Sequence, residues 1–152
     1  MFKLNRKLEY ALISLKHINH KQAGELSTAK EISKLYKTPF DATSRVLQLM
    51  AGGGILKSEQ GAHGGYQILK DLTKVSFLDL AELIVGRVGM VDCLYEDDCA
   101  CELHDSCNIL SPIHWLNERT KEFYKSLTVF DLIETRVEKK TTAADLASAF
   151  VV

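Results

Sequence analysis

The chain has 152 residues, 46% of them hydrophobic and 26% charged, a length that supports one compact domain or a small domain with an added arm. No stretch approaches the ~20 apolar residues of a membrane span, and Lys3, Arg6, Lys7 and Glu9 interrupt the N-terminus too often for a secretory h-region, so a cytoplasmic protein with no membrane partner is expected. The net charge of −1 hides an asymmetry: residues 1–75 carry twelve Lys and Arg against six Asp and Glu, and residues 76–152 carry seven against fourteen, which suits a polyanion partner for the first half only.

From Asn5 to about Ile18, the residues Leu8, Ala11, Leu12, Leu15 and Ile18 recur at helical spacing, and Asn5 can cap the helix they line. Ser27 or Thr28 opens a second, shorter helix through about Tyr36, with Glu31 completing a capping box and Ala29, Ile32 and Leu35 turned inward. Pro39 opens a third, with Phe40, Val46, Leu47 and Met50 as core candidates, and Gly52, Gly53 and Gly54 end it. Two short helices joined by a tight turn after a longer support helix form the helix-turn-helix pattern. Strand-like runs at 55–58 and 66–69 then flank the turn Gly61, Ala62, His63, Gly64, Gly65, which predicts a hairpin. The expected fold is mostly α with a small β-hairpin wing, a winged helix-turn-helix domain over residues 1–86.

Ser76 caps a further helix carrying Phe77, Leu80, Ala81, Leu83 and Ile84, which closes near Gly86 and Gly89. Residues 87–108 have no regular period and hold all four cysteines, Cys93, Cys99, Cys101 and Cys107, within fifteen residues. In a reducing cytosol that clustering favours metal or redox chemistry over a disulfide framework. Ser111 and Pro112 supply an N-cap and a first-turn proline to a long helix over 109–137, where Ile109, Ile113, Leu116, Thr120, Phe123, Leu127 and Phe130 alternate in steps of four and three. Such a stripe buries most simply against its own copy, as a homodimer; packing back onto its own domain is the alternative. Residues 138–152 read as a tail.

A recognition helix offers outward side chains to base edges, here Thr43, Ser44, Arg45 and Gln48, while Lys37, Lys57, Gln60 and His63 fall near phosphates or the minor groove of double-stranded DNA. Thiolates are the usual ligands of iron–sulfur clusters. Four cysteines can also fill a tetrahedral zinc site in a DNA-binding or interaction module with no sensing role, although zinc sites usually come as paired C-x-x-C knuckles, and this spacing contains none. With no C-x-x-C pair, nucleotide-binding glycine motif or nucleophile-and-base pattern, an enzyme is not expected.

The wing string Gly61, Ala62, His63, Gly64, Gly65, Tyr66, preceded by Gly54, Ile55, Leu56, Lys57, Ser58, resembles that of the Rrf-type family of winged-helix bacterial transcription regulators, which includes IscR-, NsrR- and RirA-like iron–sulfur proteins. The resemblance extends over roughly residues 1–130, through Glu9, Tyr10, Ala11, Leu12 in the first helix, the cysteine loop and the long final helix. It implies a dimer on imperfect palindromes, a repressor whose labile cluster, 2Fe–2S or 4Fe–4S, senses iron, nitric oxide or redox state. The family's three cysteines match either Cys93, Cys99 and Cys107 or Cys93, Cys101 and Cys107. Leu110 stands where IscR-like members carry a histidine, which leaves the spare cysteine or Glu9 as fourth ligand, Glu9 being placed where nitric-oxide sensors of the family carry an acidic residue. Gln60 stands where many relatives carry a wing arginine, and this implies an affinity that leans on phosphate contacts and on low salt.

Overall fold

The structure, a computed structural model, describes residues 4–22, 24–61, 64–91, 101–102 and 106–135. Cys93, Cys99, His63 and the tail at 138–152 lie outside the described residues. Helix α1 (Arg6–Asn19) starts at Asn5, whose side chain accepts the Lys7 amide at 2.9 Å, and it buries Leu8, Ala11, Leu15 and Ile18 along one face. Across that face lie α2 (Ala29–Tyr36), α3 (Phe40–Gly52) and α4 (Phe77–Val85). Thr28 and Glu31 form the capping box of α2, and Ser76 with Asp79 forms that of α4. Leu15, Ile32, Leu47, Met50, Leu56 and Leu80 are fully buried where these elements meet, each worth roughly 1.5–3 kcal/mol of transfer from water.

Strands β1 (Leu56–Glu59) and β2 (Gly65–Ile68) pair antiparallel, with Leu56 opposite Ile68 and Glu59 opposite Gly65. The chain ahead of α2 is stitched to this hairpin: Ser27 donates to the Tyr66 carbonyl at 3.0 Å and accepts the Tyr66 amide at 2.8 Å. A 3₁₀ turn at Leu72–Lys74 then leads into α4.

Two expected core residues are exposed. Leu35 is 60% exposed because, at 100° per residue, the end of the eight-residue α2 has rotated off the face that Ala29 and Ile32 bury. Phe40 is 53% exposed because it is the first residue of α3 and its Cβ tilts toward the N-terminus, past the end of the core.

The stretch expected as one helix over 109–137 is two, α5 (Leu110–Ser126) and α6 (Val129–Glu134). Between them Leu127 is extended and its carbonyl accepts the Phe77 amide at 2.8 Å, while Thr128 pairs with Ser76 and its hydroxyl caps α6 through the Asp131 amide at 3.0 Å. Val129 and Ile133 are buried in the common core, so the chain folds back onto the winged-helix domain. Ile109, not Ser111, precedes the first turn of α5, and it supplies no side-chain cap.

Polar contacts fasten the C-terminal end of α1 to its neighbours. His17 lies between the Tyr36 hydroxyl and Glu31, 3.2 Å from each, and Lys21 approaches Glu31 to 2.7 Å. Asn19 and His20 bond Glu134 at 3.0 and 2.9 Å, and the hydrogen bond from His20 holds that carboxyl below its ordinary range. Partial burial pushes the Glu31 carboxyl up, but hydrogen bonds from Lys21, the Thr28 amide and His17 together outweigh it and leave Glu31 below its ordinary 4.5. A lowered carboxylate contributes stability that is present above its unfolded pKa and lost as pH falls through the folded value. Glu31→Gln should therefore cost about 0.2–1 kcal/mol at neutral pH, a size set by the exposure of the pair. In urea unfolding, the gap between wild type and variant should close below pH 4.5; a gap that persists in acid would remove the charge from the explanation.

Candidate nucleic-acid interface and cysteine loop

The turn between α2 and α3 is built without glycine. Lys37 adopts a left-handed conformation, φ 54°, and its amide closes α2 onto the Ser33 carbonyl, which the Thr38 amide also reaches at 3.2 Å. The Thr43 hydroxyl donates to the Pro39 carbonyl at 2.9 Å and thereby accepts from Thr38 at 2.7 Å. Thr43 is fully buried, a correction to its expected place among the outward side chains. It clamps the turn from inside, because a buried hydroxyl needs partners and these two lie within its own turn.

With Thr43, Val46, Leu47 and Met50 inward, α3 presents Asp41, Arg45 and Gln48 on its exposed side, with Ser44 half-buried at the edge. Helical spacing puts those three residues on one stripe. Sequence reasoning passed over Asp41; its signal was position, an acid in the first turn of α3 at the spacing of Arg45. Lys37 is exposed at the turn.

In the wing, Lys57 pairs with Glu59 at 3.0 Å, and the same carboxylate oxygen accepts from Gln67 at 3.1 Å, while Gln60 is exposed just past β1. The tip is closed by necessity with small residues. A Cβ on Gly64 would stand 2.3 Å from the Glu59 carbonyl oxygen, and one on Gly65 would stand 2.8 Å from that of Ser27.

Of the cysteines described, Cys101 is exposed and Cys107 half-buried, and both are free thiols. Among the described residues no group of three His, Cys, Asp or Glu side chains converges on one point. Glu9, half-buried on α1, is held by Arg6 at 2.7 Å. The loop is anchored on α5 at both ends. The Met90 amide donates at 3.2 Å to the side chain of Asn117, 2% exposed in the middle of α5, and Cys107 stands three residues before that helix begins. Nothing in the sequence marks Asn117, a polar residue beside the apolar stripe whose burial only the structure shows.

That stripe is only partly continuous. Ile113 and Thr120 are half-buried on α5, and Leu116 and Phe123 are 41% and 46% exposed; the Thr120 hydroxyl is satisfied by the Leu116 carbonyl at 2.9 Å. Leu127 packs on its own core at the helix break, and Phe130 belongs to α6, where it remains exposed.

The Rrf2 family model, described as iron-dependent transcriptional regulator, matches residues 4–135. A protein of Aquifex aeolicus named for an HTH-type transcriptional regulator is 27% identical over 134 residues, 88% of this chain and 91% of that protein. The HTH-type transcriptional regulator NsrR of Shouchella clausii is 18% identical over 125 residues, 82% of this chain and 84% of that one. Among solved structures, CymR, the global cysteine regulator of B. subtilis, superposes with a TM-score of 0.66 at 20% identity, covering 90% of this chain and all of that one. IscR of T. potens superposes at 0.62 with 16% identity over 96% of each chain. These likenesses bear out the winged helix-turn-helix architecture.

The close approach at the wing has a measurable consequence. Gly65→Ala should destabilise the fold by about 1–3 kcal/mol, the usual cost of forcing an extra carbon into a packed site, because the opposing atom is backbone. Gly52→Ala, in open space at the end of α3, should not. Equal unfolding midpoints for the two variants would contradict the pairing of Ser27 with the wing.

Proposed function

The chain belongs to the Rrf2 family of transcriptional regulators, and on that premise we propose that it binds a palindromic operator as a homodimeric repressor, with an iron–sulfur cluster on the cysteine loop adjusting its affinity. The observation that carries the DNA reading is the stripe of Asp41, Arg45 and Gln48 on a helix whose other side is wholly buried. Arg pairs bidentately with guanine, Gln with adenine, and Asp accepts from the cytosine amino group, so the three can read different bases along one groove. Ser44 reaches from the edge. Lys37, Lys57, Gln60 and His63 serve the backbone, Lys57 at reduced strength because Glu59 shares its charge.

The dimer reading is supported by Leu116 and Phe123, exposed on α5 beside half-buried Ile113 and Thr120. A contiguous apolar patch of this kind marks an interface. A second copy that covers it brings two α3 helices into fixed separation, as a palindrome requires.

The cysteines fit an iron–sulfur cluster by donor chemistry: Cys101 and Cys107 are free thiols, with Cys93 and Cys99 as the further candidates. The fourth ligand is either the spare cysteine or Glu9, which Arg6 pairs with on α1. A bound cluster would supply reversible redox chemistry, held by the cysteine thiolates of the loop. The chain's own part is mechanical. Cys107 leads into the first turn of α5 and Asn117 holds the Met90 amide against its middle, so a change of loop conformation moves α5 against the DNA-binding domain and alters the spacing of the two recognition helices.

A duplex selected by the chain from a random library should be palindromic. On it Arg45→Ala should lose about 1–3 kcal/mol of binding and less on random DNA, while Leu116→Lys should lower the mass measured by light scattering toward one chain. Equal losses on both duplexes would assign Arg45 to a phosphate, and a wild-type monomer would remove the palindrome. Protein purified without oxygen should be brown. Cys93→Ala and Cys107→Ala should each bleach it, and Cys99→Ala and Cys101→Ala should differ from one another; a colourless protein containing zinc would replace the sensor with a structural metal site.

A further inference from the structure

Binding of DNA by α3, on which this inference rests, leaves Phe40 unexplained. Phe40 is 53% exposed at the start of α3, although Val46, Leu47 and Met50 of the same helix have no exposure at all. A single exposed apolar residue is common on protein surfaces, but the surroundings of this one are specific. Phe40 borders a shallow, open depression between α2 and the start of α3, which Lys30, Ser33, Lys34 and Thr38 also line. Lys30 and Lys34 are exposed one helical turn apart on α2, and neither takes part in an ion pair among the described residues.

A pair of free cations beside an aromatic ring matches one nucleotide of a DNA strand, with the phosphate on the lysines and an apolar base edge on the ring. The first helix of a helix-turn-helix crosses the DNA backbone while the first residues of the second meet base edges, which assigns the lysines of α2 and the ring of Phe40 to those two parts. Asp41, acidic and exposed next to Phe40, disfavours a phosphate at the tip of α3 and leaves that place to a base. In the major groove only thymine presents an apolar group, its 5-methyl. We propose that Phe40 is a specificity residue that packs on the 5-methyl group of a thymine in each half-site, while Lys30 and Lys34 hold the backbone beside it.

The test uses the full chain and a duplex it selects from a random library, with each thymine replaced in turn by uracil so that only the methyl is lost. Wild type should lose about fourfold in affinity at one thymine position per half-site, the worth of one buried methyl. Phe40→Ala should be indifferent to uracil at that position while keeping its dependence on Arg45. Lys30→Ala and Lys34→Ala should weaken all duplexes alike and each reduce the salt slope by about two, one phosphate contact in each half-site. A wild type insensitive to uracil at every position overturns the assignment, and it needs no variant to fold. A Phe40→Ala chain that keeps the wild-type uracil penalty overturns it equally. In both cases sequence-selective binding that depends on Arg45 leaves the DNA reading of α3 standing, whereas a chain that selects no duplex overturns both.

Discussion

The fold depends on a single apolar face, that of α1, on which Ala11 and Leu15 have no exposed surface. The recognition helix, its supporting α2, the helix after the wing and the returning α6 all pack against α1, so none of them is placed independently of the others. The polar contacts at its C-terminal end help decide how α2 and α6 sit. His17 and Lys21 hold α2 through Glu31, and Asn19 and His20 hold α6 through Glu134. Burial supplies most of the stability and these bonds supply the orientation, since a surface pair contributes little energy but has a definite geometry.

That arrangement accounts for the character of the interface. Because α3 buries four of its side chains against the core, Thr43 among them, only a narrow stripe remains for a ligand. The turn before it is rigid for local reasons. A non-glycine residue in a left-handed conformation costs about 1–2 kcal/mol, and at Lys37 two amides closing on Ser33 and the threonine clamp hold that conformation in place. Chain conformation here is spent on fixing the direction of α3.

Most of the elements were legible in the sequence because they follow from local periodicity and capping: the Asn5, Thr28 and Ser76 starts, the glycine stop of α3, and the hairpin around Gly61 to Gly65 all stand where spacing placed them. Thr43 was legible, since it stands at the helical spacing of Val46, Leu47 and Met50 and only its polarity suggested an outward side chain. Leu35 and Phe40 break the amphipathic rule because they lie at helix ends, where the core stops, and periodicity does not carry that information. The break at Leu127 is of the same kind. A stripe in steps of four and three continues through it on paper, yet the carbonyl of Leu127 and the cap at Thr128 are claimed by the chain around Phe77 and Ser76, a tertiary override of a local pattern. Asn117 was illegible for a different reason, since a polar residue on a helix reads as solvated until its burial is known.

The break also bears on how a signal at the loop would reach DNA under the proposed sensing role. Were α5 and α6 one rod, the far end of the helix would be free of the DNA-binding domain and a displacement at the cysteine loop would be absorbed by its swing. Instead α5 is held near its middle by Asn117 against Met90 and past its end by Leu127 against Phe77, and α6 is seated in the same core that positions α3. A helix fixed at two points and followed by a buried anchor cannot move without shifting what it is anchored to, and packed interiors respond to such displacement by changing between discrete arrangements rather than by yielding. On the sensing role proposed above, the loop, joined to α5 before its first turn and at its middle, is attached to an element through which a small local change would reach the core that positions α3.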